Sequence, residues 1–217
     1  MGKSSGARLL RDVAEVGLFA LIIYLLITSA VETVKVYGIS SYPNLMQGDI
    51  LIASKIDYFF HPPQRGDFVI IKPPISTEDF IKRIIAVPGD RLLIRNSHVY
   101  IDGRRLYEPY LKEPWTINNN WPANPDSRGV LIPPNEYFVM GDNRNFSTDS
   151  RAFGLIARKD ILAHAILRIW PPNRIGLLNA QPTFRPPRSA QDPVFDAAFP
   201  PTLTLWWLQV VDLPRAL

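Results

Sequence analysis

The stretch DFIKRIIAVPGDRLLIRNSHVYIDG (79–103) decides the fold class. Its apolar residues come in short runs, such as DRLLIR (90–95) and HVYID (98–102), in which apolar and polar positions tend to alternate. Asn96-Ser97 separates these two runs, and a polar pair at such a place is typical of a tight hairpin turn. The stretch therefore predicts successive antiparallel strands.

The same pattern continues on both sides of that stretch. Comparable runs, each bounded by Gly, Pro, Asn or Asp, are DILIASKI (49–56), GDFVIIK (66–72) and NEYFVM (135–140). A chain of 217 residues has room for one well-filled domain with appendages. We therefore expect a mainly β fold, built as an antiparallel sheet with a smaller β cap inserted into it.

The beginning of the chain has a different character. Lys3, Arg8 and Arg11 precede the apolar run VGLFALIIYLLITSAV (16–31), which predicts a single transmembrane helix, slightly short of a hydrocarbon core of about 30 Å. Positive charges on this side predict a cytoplasmic N-terminus and a translocated remainder. A cleavable signal peptide, with small residues at 28–30, and a buried core helix are the alternatives.

Composition excludes several classes of function. The net charge of +4 is small and its basic residues are scattered, which argues against nucleic-acid binding. The chain has no cysteine, so thiol catalysis and cysteine metal sites are excluded. None of its three histidines stands at a catalytic or metal-binding spacing. We expect no metal and no cofactor, and a hydrolase of this sequence would need a base other than histidine.

Three segments contain residues that could carry chemistry. In GISSYPNLMQGD (38–49) a serine lies just beyond the predicted membrane helix, in a segment restrained by proline and glycine, although an ordinary polar turn reads the same way. The segment MGDNRNFSTDSRAFG (140–154) is rich in Asp, Asn and Arg and can hold its own shape through Asp–Arg pairs. Alone it could equally be a structural turn.

The third segment contains Lys82. On a strand its side chain shares a face with Phe80 and Ile84. Apolar surroundings disfavour the ammonium form and lower the pKa, so such a lysine can accept a proton from a serine. Alternatively, Lys82 extends to water with its ordinary pKa. Arg83 has equally apolar neighbours but cannot lose its proton.

Taken in this order, these segments resemble type I signal peptidases, the membrane-bound serine proteases that remove leader peptides from exported proteins. The resemblance covers 36–154 and the N-terminal helix. It rests on four motifs: Ser40 to Leu45 with Gly48-Asp49, Arg65-Gly66-Asp67, Lys82 to Asp90, and Gly141 to Arg151. The chain departs from the family pattern at Ser41, Asn44 and Ala86, where the family has Met, Thr and Gly.

The resemblance implies that Ser40 is the nucleophile and Lys82 the general base. A deletion of one residue in the serine motif would instead make Ser41 the nucleophile. Ser147 corresponds to the family's serine that hydrogen-bonds the lysine. The remaining implied residues are Asp142, Asp149 and Arg151, which support the loop, and Gly38, which stands where many members have a hydroxyl donor for the oxyanion.

The resemblance also implies the substrate and the location. Signal peptides would add as an extended strand between 37–40 and 79–82 and be cut after small-x-small sites. The enzyme would sit in the plasma membrane as a monomer, near the secretion translocase. The alternatives are a Ser-Lys relative with special substrates and a catalytically impaired, membrane-tethered peptide-binding subunit.

We predict three parts of the chain. Residues 1–32 form the cytoplasmic N-terminus and anchor, and 33–178 the catalytic domain, with its cap at about 91–134. Residues 179–217 form a proline-rich tail, in which TLTLWWLQVV (202–211) either lies on a membrane surface or packs on the domain.

Overall fold

The computed structural model describes residues 4–117, 119–124, 126–178 and 183–184. In chain order its helices and strands are α1 Ser4–Ala30, β1 Val31–Lys35, β2 Ile50–Ser54, α2 Asp57–Phe60, β3 Phe68–Ile71, β4 Phe80–Ala86, β5 Arg91–Arg95, β6 His98–Ile101, β7 Arg104–Tyr107, β8 Val130–Leu131, β9 Glu136–Met140, α3 Ser150–Phe153, β10 Ile156–Ala157, β11 Ile161–Trp170, β12 Gly176–Leu177 and β13 Thr183–Phe184.

Helix α1 is the apolar helix that the sequence predicts. Its segment Leu9–Ala30 has 22 residues and a mean hydropathy of 2.1, which is long and apolar enough to cross a membrane. None of that segment is buried against the described part of the chain. This argues against the alternative of a core helix, because a core helix packs its apolar side chains inside the protein.

The described strands form two antiparallel sheets. The first has eight strands in the order β1-β2-β11-β3-β4-β9-β10, with β12 pairing beside β11. The second has five strands in the order β13-β7-β6-β5-β8. The prediction of a mainly antiparallel β fold behind an apolar N-terminal helix is confirmed.

The second sheet arises mostly from the segment in which the sequence predicts a cap. Strands β5 and β6 form a hairpin whose turn is Asn96-Ser97, with φ of 47° and 60°, the left-handed backbone that a two-residue hairpin turn requires. Strand β13 adds two residues from the predicted tail to this sheet. The rest of that tail, including TLTLWWLQVV, lies outside the described residues, and the domain boundaries stay a prediction.

Strand β4 is buried on both faces, and its side chains therefore pack in two different hydrophobic clusters. Ile85 packs with apolar side chains of β5, β6 and β9. Ile84 faces the other way and packs with Val69 and Val139, and the Phe80 side chain lies against the same cluster. The predicted alternation along β4 is thus present, and it places Lys82 on the face of Phe80 and Ile84.

Candidate active site

The segment between β1 and β2 carries Ser40. Leu45 is fully buried and its N–H donates to Ser41 O over 2.9 Å, while Gly48 N donates to Val36 O over 2.9 Å. Gly48 has a φ of 90°, a conformation that favours glycine. These bonds close the segment into a compact loop, so the backbone at Ser40 is held in place.

Two arginines from the end of β11 and beyond anchor the same loop. Arg168 and Arg174 lie 3.3 and 3.1 Å from the carboxylate oxygens of buried Asp49, and both also donate to Asn44 O. The loop that carries Ser40 is therefore attached to the first sheet at its far end as well.

Lys82 meets Ser40 across this loop. Its Nζ lies 2.7 Å from Ser40 Oγ, within hydrogen-bonding distance, and only 3% of the lysine is exposed. Burial lowers the pKa of Lys82 from 10.5 to about 8, against the opposing effects of the Asp149 and Asp142 carboxylates. The alternative in which Lys82 extends to water does not hold, because the lysine is only 3% exposed.

Ser41 has a different environment. It is 3% exposed, and its Oγ donates to Ile81 O over 3.3 Å. Ser40 instead is partly exposed and lines the groove described below. Of the two serines, the one at the lysine is thus also the one that a substrate can reach.

The loop 141–151 closes behind the Ser40–Lys82 pair. Asp149 caps α3, accepts from Gly141 N over 3.0 Å, and forms an ion pair of 2.8 Å with Arg151. Burial alone would raise the pKa of Asp149, but its bonds to Arg151 and Gly141 hold that pKa below the usual value. Arg151 also donates to Arg144 O over 2.8 Å, which ties the loop to itself.

This loop also forms hydrogen bonds to the backbone of the segment that carries Ser40. Asn143 N donates to Ser40 O over 3.0 Å, and its side-chain amide donates to Ile39 O over 3.2 Å. A Cβ at Gly141 would lie 2.3 Å from Ser40 O and 2.3 Å from Ser147 Oγ, so only glycine fits there. Sequence reasoning did not single out Gly141 and Asn143, although both belong to the last motif.

Ser147 lies beside this contact. Its Oγ is buried and close enough to Asp149 to help lower the pKa of that carboxyl, yet it makes no hydrogen bond of normal geometry within the part of the chain that the structure describes. The hydrogen bond to Lys82 that the resemblance implies is therefore not formed in this geometry.

A buried ion pair joins the lysine motif to the last motif. Arg83 is fully buried, and its guanidinium meets the Asp142 carboxylate over 2.8 and 2.7 Å. The guanidinium lies 3.9 and 4.0 Å from the ring centroids of Phe68 and Tyr110. Such stacking and two-point pairing suit arginine, whose charge must be compensated when it is buried.

Asn44 extends this network to the serine segment. Its side-chain amide donates to Asp142 Oδ2 and to Tyr110 O, both over 2.8 Å. Asn44 stands where the family has Thr, and it still donates to the carboxylate that pairs with Arg83. The serine motif, the lysine motif and the last motif therefore meet at the carboxylate of Asp142.

A groove of about 370 Å³ opens above Ser40 and Lys82. It is lined by residues of β1 and those that follow it, by 79–82, and by Phe146 and Thr148. This is the place where the sequence predicts a substrate strand. The lining side chains, which the sequence did not predict, include Val34, Val36, Ile70 and Ile81.

Comparisons with known proteins identify the family of this chain. The family model for signal peptidases, peptidase S26, matches residues 10–170. A probable signal peptidase I-1 of Synechocystis sp. is 42% identical over 158 residues, which are 69% of this chain and 76% of that relative. A signal peptidase I of Leptolyngbya laminosa is 33% identical over 184 residues, or 81% of this chain and 87% of that relative.

The crystal structure of a signal peptidase I from Enterococcus faecalis V583 is 31% identical, with a TM-score of 0.41 over 47% of this chain and 95% of that one. The family model extends over most of the chain, and two curated relatives match most of it. The chain therefore belongs to the signal peptidase family, peptidase S26.

Proposed function

We propose that this protein is a membrane-anchored serine endopeptidase that cleaves signal peptides from exported preproteins, with Ser40 as nucleophile and Lys82 as general base. The observation that carries this proposal is the contact of 2.7 Å between Lys82 Nζ and Ser40 Oγ at the foot of an open groove. A buried lysine with a pKa of about 8 is partly neutral near neutral pH, and only the neutral amine can accept a proton.

The chemistry follows from that contact. Neutral Lys82 takes the proton of Ser40 as its Oγ attacks the scissile carbonyl carbon, and the resulting ammonium then gives a proton to the leaving amine. A water that loses its proton to Lys82 next attacks the acyl-enzyme, and Ser40 Oγ leaves with that proton. A Ser-Lys pair performs the work of a Ser-His-Asp triad in this scheme.

Backbone donors would stabilise the oxyanion. No described residue accepts a hydrogen bond from the Ser40 N–H, so this donor is free to bind the oxyanion. Gly38, with a φ of 79°, lines the same groove but has no hydroxyl to offer, so the second donor would be a backbone N–H or a water. One such donor is worth about 2.7–4 kcal/mol of transition-state stabilisation.

The groove accommodates a substrate in extended form. A peptide could add between the backbone at 37–40 and that at 79–82, where main-chain hydrogen bonds would align the scissile bond. We expect the apolar side chains that line the groove, such as Val34 and Ile81, to form shallow pockets that accept small residues at the first and third positions before the cut. This supports cleavage after small-x-small sites.

Helix α1 would place this groove at the membrane. We expect α1 to stay attached and to cross the plasma membrane with its N-terminus in the cytoplasm. Signal peptides would then emerge beside Ser40, which follows α1 by ten residues. We expect the protein to work there as a monomer, near the translocase. The alternative is an impaired member that binds peptides, which the unbonded Ser147 and the missing hydroxyl at Gly38 favour.

The test is cleavage of a preprotein with an Ala-x-Ala site by the full-length chain in detergent micelles. We expect cleavage after the second Ala, and its loss in Ser40→Ala and in Lys82→Ala. Ser41→Ala is the matched control and should retain activity. Loss in Ser41→Ala alone would move the nucleophile to Ser41, and an inactive parent chain that still binds the preprotein would favour the peptide-binding alternative.

A further inference from the structure

Phe146 is an exposed aromatic side chain at the catalytic groove. It is 68% exposed, and it lines the groove together with Ser40 and Lys82. Aromatic side chains that line a groove are common contacts for a ligand, because they offer a large apolar surface for burial. The proposed chemistry needs only Ser40 and Lys82 and gives this ring no role.

The side chains around Phe146 alternate between the inside of the protein and the groove. Ser147 Oγ is buried, whereas Phe146 and Thr148 on either side of it are exposed and line the groove. Asp149 is again fully buried. The inward direction of Ser147 and Asp149 therefore leaves the ring of Phe146 on the side that a substrate can reach.

Hydrogen bonds hold the backbone of Phe146 close to the nucleophile. Phe146 N donates to Asn143 O over 3.1 Å and to Asn143 Oδ1 over 3.2 Å. Asn143 donates in turn to Ser40 O and to Ile39 O. Only one residue, Asn143, thus stands between the backbone of Phe146 and that of Ser40 in this chain of bonds.

The preceding residue, Asn145, attaches the loop to a different segment. Its Oδ1 accepts from Thr116 N over 3.0 Å and from Ile117 N over 3.2 Å, and its Nδ2 donates to Pro114 O over 2.8 Å. Phe146 is therefore held between two neighbours that are both fixed. A ring on such a backbone loses little conformational freedom when a substrate binds, so its contact favours binding more strongly.

The place at which the loop meets the groove indicates which part of a peptide Phe146 would contact. In the proposed substrate complex, the residues before the cut run between 37–40 and 79–82 toward Ser40. The loop 141–151 is a third segment, and it is bonded to the backbone at Ile39 and Ser40. A peptide that continues beyond the scissile bond leaves the first two segments and passes this third one.

We propose that Phe146 contacts the first residues after the cut and favours substrates that carry an apolar or aromatic side chain there. A phenyl ring gains free energy by burial against either kind of side chain, and it also pairs with a second ring through its edge or face. Substrates would then be selected by small size before the cut and by apolar character after it. This inference deepens the proposed cleavage at Ser40 and rests on it.

Peptide binding to an inactive chain tests this contact without depending on cleavage. The full-length Ser40→Ala chain in detergent micelles would be titrated with fluorescent peptides that share one Ala-x-Ala sequence. The peptides carry Phe, Leu or Asn at the first or at the second position after that sequence, and a second set varies x. Fluorescence anisotropy gives each Kd, and empty micelles correct for partition of the peptides into detergent.

We expect the Phe and Leu peptides to bind about three- to tenfold more tightly than the Asn peptide at one of the two positions after the cut. Phe146→Asn, added to the Ser40→Ala chain, should remove this preference, and Phe146→Leu should retain it. A purely structural effect of Phe146→Asn would weaken the binding of all peptides alike. The ratio between peptides therefore distinguishes specificity from a disturbed loop.

Phe59→Asn is the matched control. Phe59 is 82% exposed but does not belong to the described residues that line the groove, so this variant should keep the ratio of the parent chain. Equal affinities of the Phe, Leu and Asn peptides would overturn the inference, as would a preference that persists in Phe146→Asn. If Phe146→Asn changes the preference at x instead, the ring contacts the peptide before the cut and the inference is wrong.

The active chain separates this inference from the proposed function. Its kcat/KM values for the same peptides should follow the order of the affinities. Cleavage without any preference after the cut would leave the proposed function intact and overturn the role of Phe146. An active-site chain that cleaves none of the peptides, although Ser40→Ala binds them with the expected preference, would overturn the proposed function and leave the contact with Phe146.

Discussion

At the scale of single residues, Lys82 and Arg83 show how neighbours with equally apolar surroundings take different roles. Burial of a guanidinium needs a carboxylate, because arginine keeps its proton, and Asp142 supplies one. The cost of burying the amine of a lysine can instead be avoided when the amine loses its proton. Among the residues that the structure describes, Ser40 alone places a group at hydrogen-bonding distance from the Lys82 amine, and the pKa of Lys82 falls to about 8.

The first prediction concerns pH. Protonated Lys82 cannot accept the proton of Ser40, so kcat/KM should rise with pH through about 8 and fall about tenfold for each pH unit well below that value. Initial rates on a soluble peptide from pH 6 to 10 measure this. A flat profile over that range would exclude Lys82 as the base.

The second prediction concerns stability. The pKa of Lys82 lies lower in the folded state, at about 8, than its ordinary 10.5, so between these values the unfolded chain binds more protons and stability rises with pH. Below about pH 8 the buried amine costs about 3 kcal/mol, which Lys82→Met would remove. The variant should be more stable than the parent at pH 7 and lose this advantage above about pH 10.5.

Denaturant titrations of both proteins at pH 7 and 10.5 check this prediction. Lys72→Met, at an exposed position, is the control and should match the parent at both values. An advantage of Lys82→Met that is equal at the two pH values would show that it comes from packing and not from the proton.

At the scale of elements, the loop 141–151 determines where Ser40 lies. It reaches the serine segment through backbone contacts, and these leave no room for a side chain at Gly141. The alternation within β4 supplies the other half of the site, because one face carries Lys82 and the opposite face carries Arg83, which pairs with this same loop.

The third prediction follows from that contact. Gly141→Ala should lower kcat by at least about a hundredfold, because the added methyl group would lie 2.3 Å from Ser40 O and must displace the nucleophile from Lys82. Gly176→Ala is the matched control, since a Cβ there meets nothing within 4 Å. Peptide cleavage compares the two, and equal activities would show that the loop yields without moving Ser40.

The fourth prediction concerns the N-cap of α3. Asp149→Asn would leave the buried Arg151 without its carboxylate and weaken the cap, so we expect a loss of about 3–5 kcal/mol of stability together with activity. Denaturant unfolding of the variant and of Asp126→Asn, an exposed control, measures the difference. A loss below about 1 kcal/mol would mean that the loop is held by other contacts.

At the scale of the whole molecule, one apolar helix precedes a β structure whose groove opens close to the end of that helix. The positive charges before the apolar run of α1 predict that the groove lies outside the cytoplasm. Single-cysteine variants Ser4→Cys and Ala123→Cys, treated with a membrane-impermeant maleimide on intact cells, test this fifth prediction. We expect labelling at 123 only, and labelling at 4 alone would show the reverse topology.

Patterns of near neighbours were enough to predict the apolar helix, the hairpin at Asn96-Ser97 and the shared face of Phe80, Lys82 and Ile84. Each depends on a period of the backbone or on the conformational preference of a single turn, and both are local properties. The resemblance of motifs predicted that Ser40 and Lys82 belong together.

Other features depended on the packing of segments distant in sequence. The burial of Lys82 arises where β4, β3 and the Ser40 loop meet, the lack of room at Gly141 arises where two loops touch, and the bond from Asn44 to Asp142 joins residues far apart in the chain. Local sequence patterns do not determine which distant segment covers a given side chain. These contacts therefore became known only from the tertiary structure.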